Sequence, residues 1–206
     1  LAIITTVGPV HIEFFKNEEE IALAKSEIFS GLEPEGVALI NRDNIHFEFL
    51  QKRAENTAKK VLNFGADLRS DYCLKYFKIN DINRSEVFFT KPLEKNNIQN
   101  FTISSSNQTA ISNAMIVAAA LDILTDDPQK GLSQLTKLEN TAGRGNAFNK
   151  NCDGKNITII DDTYNASVLS IKAGLDYALE LKSALSKKRV IAALGDMLEL
   201  GEKSVE

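Results

Sequence analysis

The apolar run Ile157-Thr158-Ile159-Ile160 breaks abruptly into Asp161-Asp162-Thr163-Tyr164-Asn165-Ala166. A helix-like stretch over 168–185 follows, with Ile171, Leu175, Ala178 and Leu179 along one side, and then a second apolar run over 189–194. Strand, helix and strand at this spacing predict a βαβ unit, whose parallel strands require a right-handed crossover. Both predicted strands end in polar residues, the second in Gly195-Asp196. Open α/β sheets bind ligands in the crevice beyond the carboxyl ends of their strands. Two acids, a tyrosine and an amide are more polarity than a strand end needs for folding, so residues 161–166 point to a nucleotide site.

Upstream, short buried strands are expected over 2–7 and 37–40, with helices over 18–29 and 48–62. Glu18-Glu19-Glu20 would open the first helix, placing anions at the positive end of its dipole. Residues 72–103 read as an antiparallel region, with short β-like runs over 74–79, 86–90 and 100–103 separated by Asn-rich turns. Ile111, Met115, Ala118 and Leu121 share one face of a strong helix over 109–124. A short helix over 128–138 leads into a Gly- and Asn-rich loop over 141–155, the best domain boundary. The expected organisation is α/β: a first domain over 1–142, a linker over 143–155 and the start of a second domain over 156–206.

With 43% hydrophobic and 25% charged residues among 206, the chain can build an ordinary core. Its net charge of −4, with the two signs interspersed, argues against a nucleic-acid surface and against a polybasic membrane patch. The most apolar stretch, 115–124, is interrupted by Asp122 and too short to span a bilayer. Cys73 and Cys152 lack metal-ligand spacing and read as unpaired thiols of a reducing cytosol. The opening Leu1-Ala2-Ile3-Ile4 has no basic lead of a signal peptide and lies inside an apparent strand, so a piece of a longer protein is expected.

Four residues outside the opening motif's tyrosine and amide could carry chemistry. Lys25 falls on the apolar stripe of its helix, between Ile21 and Phe29; it either snorkels to the edge or sits in a dry pocket with a depressed pKa. In the second case it could react with carbon dioxide, and the carbamate would be an oxygen ligand for Mg²⁺. His11 follows the Gly8-Pro9 turn at the top of the sheet, as a loop residue or as a partner in that metal site. Arg144, between Gly143 and Gly145, is either a solvated arginine or a bidentate phosphate donor. Asp162 could accept hydrogen bonds from a ribose diol or cap the following helix, for which Ser167 is better placed. No Gly-x-x-x-x-Gly-Lys-Ser/Thr phosphate loop occurs among the 206 residues.

Taken together, these segments resemble the Mur ligases, ATP-dependent amide-forming enzymes of peptidoglycan synthesis. Thr5-Thr6-Val7-Gly8-Pro9-Val10-His11 is similar to the family's Thr-Asn-x-Gly-x-x-His segment, with Thr6 in place of Asn. Ala22-Leu23-Ala24-Lys25-Ser26-Glu27-Ile28 is similar to its Ala-x-Ala-Lys-Gly-Glu-Ile helix. Residues 161–166 and the segment Leu194-Gly195-Asp196-Met197-Leu198-Glu199-Leu200-Gly201 resemble motifs of the branch that adds D-alanyl-D-alanine to UDP-N-acetylmuramoyl-tripeptide. They speak against the diaminopimelate-adding and folylpolyglutamate branches. Of the family's Gly-x-His-Asn-x-x-Asn, only the last residue is kept, as Asn113.

The resemblance implies the latter part of a central ATPase-like domain, then the first βαβ unit of a Rossmann-like C-terminal domain. It implies ATP and Mg²⁺ as cofactors, with Lys25 as the carbamylated lysine and His11 as the other metal ligand. Arg144 would contact phosphate and Asp162 ribose, with Asn113, Tyr164 and Asn165 completing the cofactor-binding set. It implies a bacterial, cytoplasmic enzyme, inactive as this isolated chain and completed by a missing N-terminal part of the same ligase. A non-catalytic remnant of such a ligase is the rival expectation.

Overall fold

The computed structural model describes residues 1–9, 15–138 and 141–197. A six-stranded sheet runs in sequence order: β1 (Ala2–Ile4), β2 (Val37–Asn41), β3 (Lys60–Gly65), β4 (Tyr72–Asp81), β5 (Arg84–Thr90) and β6 (Gln99–Ile103). β1 through β4 pair in parallel, with Ala2 opposite Ala38, Val37 opposite Lys60 and Phe64 opposite Tyr72. β4, β5 and β6 are antiparallel, as the short runs and Asn-rich turns over 72–103 predict. Two helices, α1 (Glu18–Ser26) and α2 (Phe47–Glu55), cover one face of the parallel half. The long α3 (Gln108–Leu124) covers the other face.

Burial explains the pattern of β2, where Ala38, Leu39 and Ile40 are all inaccessible. Parallel strands covered on both sides read as continuous apolar runs. Ala38 and Ile40 pack with Ile21, Phe29 and Leu50, while Leu39 packs with Phe64, Val87 and Met115. In β5 the alternation is strict instead: Ser85, Val87 and Phe89 are buried, and Glu86 and Phe88 are not. On α3 the buried positions Ile111, Ala114, Met115, Ala118 and Ala119 follow the helical period. Asn17 caps α1 by accepting from the Glu20 amide at 3.0 Å, and the three glutamates fill the first turn as expected.

Three expected elements come out differently. The helix expected over 48–62 ends at Glu55, and 60–65 form β3 instead. The Thr57 and Ala58 amides both turn back onto the Ala54 carbonyl, which closes the helix and frees the chain to pair with β2. The loop expected over 141–155 contains β7 (Asn146–Cys152), which pairs antiparallel with β8 (Lys155–Asp161). Asp153 and Gly154 join them with φ of 50° and 75°, the left-handed pair that a two-residue hairpin turn requires. No strand forms over 189–194; residues 189–197 are irregular, with Ile191 and Leu194 exposed. A parallel strand needs cover on both faces, and among the described residues β8 has a helix beside it and no further layer. Gly195 and Asp196 are exposed.

The helix after β8, α5 (Val168–Ala184), forms as predicted and opens with a reciprocal capping box between Ser167 and Ser170. It docks on the start of α3 and on the β4–β5 connection through a small cluster of Ala147, Tyr177 and Leu181 with Ile79 and Ile82. The Gln108 amide donates to one oxygen of Glu180, and the other, buried oxygen has no hydrogen-bond partner among the described residues. Burial first, and the nearby Asp176 charge to a lesser degree, hold the Glu180 carboxyl above its ordinary range, against the Gln108 hydrogen bond. The native state therefore binds this proton more readily than the unfolded chain. Its stability contribution is full at low pH and declines as pH rises through the ordinary glutamate range toward the raised value. Glu180→Gln is expected to raise the melting temperature at pH 7 by about 1–2 °C, a modest figure because the site is partly solvated. The gain should shrink toward pH 4 in a calorimetric series; a gain independent of pH would contradict this origin.

Candidate functional site

The N-terminal half of α3 forms one wall of a cleft of about 450 Å³. Asn107 starts that wall by accepting from the Thr109 amide at 2.8 Å, which caps the helix. Thr109, Ala110, Asn113, Ala114 and Val117 then follow at helical spacing along the cleft. Leu135, within a 3-10 turn (Ser133–Lys137) that follows α4 (Pro128–Leu132), and Leu138, just after it, add apolar lining. The far side consists of Gly143, Arg144, Asp162 and Asn165, with Ser170, Ala173 and Gly174 from the first turns of α5. Convergent polar groups in a mostly apolar concavity are the usual make-up of a small-ligand site.

Two loops are stitched together beneath the polar side. The Gly143 amide donates to Asp161 at 3.2 Å, and the Tyr164 amide donates to the Gly143 carbonyl at 3.0 Å. Asp161 also accepts from the Thr163 hydroxyl at 2.7 Å. Its carboxylate is thus spent within the loops, while that of Asp162 lines the cleft. Gly143 and Gly145 both hold φ near +70°, and a Cβ on Gly145 would lie 2.0 Å from the Asn107 side-chain nitrogen. The left-handed φ favours glycine there, and any Cβ would displace the Asn107 side chain. The Arg144 guanidinium, held between them, lies 4.2 Å over the Tyr164 ring.

Burial is the main cause holding the Asp162 carboxyl above its ordinary range. The neighbouring Asp161 charge adds to it, and the Gly145 amide and Arg144 oppose it. A partly desolvated acid whose carboxyl is raised above its ordinary range, in a cleft beside an arginine, is of the kind that marks functional sites. The helix-capping alternative for Asp162 is removed, because Ser167 caps α5.

Of the residues singled out from the sequence, Asn113, Arg144, Asp162 and Asn165 meet in this single cleft. Tyr164 does not line it; it supports Arg144 from below and is itself exposed. Lys25 is not in the lining either. It is exposed, and its ammonium donates to the Thr6 carbonyl at 2.9 Å, the snorkelling arrangement for the unmodified side chain. His11 lies outside the described residues. Among the described residues, no group of three or more His, Cys, Asp or Glu side chains converges as a metal site. Asn107, Thr109, Ser170 and Gly174 were not anticipated; the Asn107-Gln108-Thr109 segment carries an N-cap signal that could have placed the first of them.

The loop after β1 reaches the same junction. Asn41 and Asn44 donate to the Thr5 and Val7 carbonyls at 2.9 and 2.7 Å, fixing the loop that Lys25 also holds. A Cβ on Gly8 would lie 2.3 Å from a Leu169 methyl, so this loop abuts the start of α5. Among the described residues, no helix is long and apolar enough to cross a membrane.

Comparison with known proteins agrees with this architecture. The Mur ligase middle domain matches residues 1–121. The UDP-N-acetylmuramoyl-tripeptide--D-alanyl-D-alanine ligase of Rickettsia prowazekii is 31% identical over 205 residues, covering 99% of this chain and 43% of the relative. The ligase of the same name from Bacillus subtilis is 33% identical over 207 residues, covering 98% and 40%. The chain thus spans about two fifths of the length of these curated relatives. The crystal structure of MurF from Acinetobacter baumannii shares the fold, with a TM-score of 0.76 at 24% identity over 98% of this chain and 41% of that one. With more than half of its length matched by that middle domain, on a mixed sheet of the same fold, the chain belongs to the Mur ligase family.

Proposed function

We propose that this chain is the nucleotide-binding portion of an ATP-dependent ligase that adds D-alanyl-D-alanine to UDP-N-acetylmuramoyl-tripeptide in bacterial peptidoglycan synthesis. The observation that carries the reading is the meeting of Asn113, Arg144, Asp162 and Asn165 in one cleft. They come from α3 and from the loops on either side of β7 and β8, up to 52 positions apart in sequence, from Asn113 to Asn165. Residues 1–142 would be part of the central domain and 156–206 the start of the C-terminal one, with the cleft at their junction. The setting is the bacterial cytoplasm, where such precursors are made.

Each lining group has a task in this reading. Arg144, exposed at the rim, offers a planar fork to phosphate oxygens. Asp162 accepts hydrogen bonds from a ribose diol, and Asn113 and Asn165 offer both donors and acceptors to a base or sugar edge. Ile103, Val117 and Leu135 provide apolar surface for a flat ring. When bound, ATP supplies the phosphoryl group that turns the tripeptide carboxylate into an acyl phosphate, which the amine of D-alanyl-D-alanine attacks to give amide and free phosphate. The 206 residues hold no Gly-x-x-x-x-Gly-Lys-Ser/Thr loop, so this chain would bind nucleotide without turnover.

For Mg²⁺, Lys25 as a carbamate together with His11 would offer hard oxygen and imidazole ligands. Exposure of the Lys25 amine makes it reachable by dissolved carbon dioxide. A ¹³C-bicarbonate NMR spectrum is expected to contain a carbamate resonance that disappears in Lys25→Arg. If both proteins give the same spectrum at saturating bicarbonate, Lys25 does not carry the group.

Titration calorimetry with magnesium-ATP tests the main reading. Saturable binding that Asp162→Ala weakens by about tenfold is expected, from the loss of hydrogen bonds to a charged acceptor. The replacement of the family's His-Asn pair by Thr109-Ala110 favours a second reading, a non-catalytic remnant. Absence of any nucleotide binding by the folded chain would select it.

A further inference from the structure

We infer that the Ser106–Tyr177 hydroxyl pair is a latch that fixes the separation of the two walls of the cleft, with Tyr177 a positioning residue for the bound ligand. The binding arm of this inference rests on the nucleotide reading above; the latch itself does not. The two walls belong to different parts of the molecule. Asn107 caps α3, and Thr109 and Asn113 stand on it; the opposite face of the helix is sunk in the large core of the six-stranded sheet. Arg144, Asp162 and Asn165 belong to the β7–β8–α5 unit, which among the described residues joins the rest through a small cluster whose buried members are Ala147, Tyr177 and Leu181 and through the Leu169 contact with Gly8. A unit held by so few apolar contacts is a low-stability element, and single polar contacts then weigh heavily on its position.

Tyr177 is 1% exposed and Ser106 is fully buried. Their hydroxyl oxygens are 2.7 Å apart, and Ser106 also donates to the Ile82 carbonyl at the β4–β5 connection. Since the serine proton goes to Ile82, the Tyr177 hydroxyl is the donor to Ser106. The link is therefore directional, from α5 through Ser106 to the hairpin and to the adjacent helix cap. Asn107, next in sequence, caps α3 and touches Gly145, the neighbour of Arg144. One hydroxyl thus ties α5 to the residues that aim both walls. The exposed Gln108–Glu180 hydrogen bond reinforces the same seam.

Tyr177→Phe removes this donor and keeps the ring in its cluster, and Ser106→Ala removes the acceptor. Amide hydrogen exchange by mass spectrometry on the 206-residue chain should show about 2–10-fold faster exchange over 168–184 and 141–147 in either variant, the scale of one lost hydrogen bond. Exchange over 47–55, in α2, should not change. Affinity for magnesium-ATP should fall in each single variant, and adding Tyr177→Phe to Ser106→Ala should bring no further loss, because Ser106→Ala already removes the shared hydrogen bond together with the one to Ile82. Exchange that is unchanged, or faster uniformly along the chain, overturns the latch. So does a lowered melting temperature with unaltered affinity and unaltered α5 exchange, which is the signature of packing alone. Should the unaltered chain fail to bind magnesium-ATP, the nucleotide reading falls, and the exchange pattern alone then decides the latch.

Discussion

Arg144→Ala is expected to weaken magnesium-ATP binding by roughly 10–100-fold, the loss of about 1.5–3 kcal/mol that hydrogen bonds to a charged partner contribute. The expectation follows from how the side chain is held. Gly143 and Gly145 adopt left-handed φ, and a Cβ at either would crowd Tyr164 or the Asn107 side chain. The guanidinium is stacked on the Tyr164 ring, so less rotational freedom is lost when it meets a phosphate. Arg144→Lys keeps the charge and loses both the fork and the stacking; an intermediate affinity is expected. Arg144 is exposed, so neither change should move stability by more than about 0.5 kcal/mol. Calorimetry with unaltered affinity in Arg144→Ala would remove this residue from the site.

Phe89→Ala should cost about 3–5 kcal/mol of folding stability, the range for deleting a buried aromatic side chain. Phe89 is 1% exposed, lies edge-on to Phe101 with ring centres 5.5 Å apart, and belongs to the cluster that seats Ile111 and Met115 of α3. Against a total of about 5–15 kcal/mol for a domain, the loss would shift a urea midpoint far to the left. Phe89→Leu refills part of the cavity and should lose clearly less. Nucleotide affinity measured per folded molecule should survive in both variants, because Phe89 reaches the cleft only by seating α3. A loss below about 1 kcal/mol in Phe89→Ala would mean that the core closes around the cavity.

Much of the architecture was legible because its signals are local. α3 and α5 carry helical periodicity, α5 with its Ser167 cap, and short β-like runs between Asn-rich turns mark the antiparallel strands over 72–103. What escaped was decided by competition between signals or by pairing at a distance. The helical pattern that starts at Phe47 has no strong breaker before Lys60, yet β3 gains a partner in β2 on both its register and its burial. The hairpin of β7 and β8 was announced by Asp153-Gly154, a strong turn signal that the Gly- and Asn-rich composition around it obscured. The strand expected over 189–194 had the right apolar content, but among the described residues β8 offers no second covering layer for a parallel neighbour.

The site divides in the same way. Residues 161–166 advertise a ligand by local polarity at a strand end, and the segments over 5–11 and 22–28 with that motif were enough to indicate the family. Chemistry written in consecutive residues survives in the sequence without the fold. Which acid faces the cleft did not survive so. Asp161 and Asp162 are adjacent and chemically alike, and only the packing of loop 141–145 assigns one to stitching the loops and the other to the cleft. Tyr164 looked like a ligand contact and is the platform beneath Arg144. Lys25 sat on an apolar stripe, yet its ammonium finds the Thr6 carbonyl at the surface. Local periodicity determined the elements and the kind of chemistry; the partners of each polar group were decided by residues distant in sequence, because burial and hydrogen bonding are properties of neighbours in space.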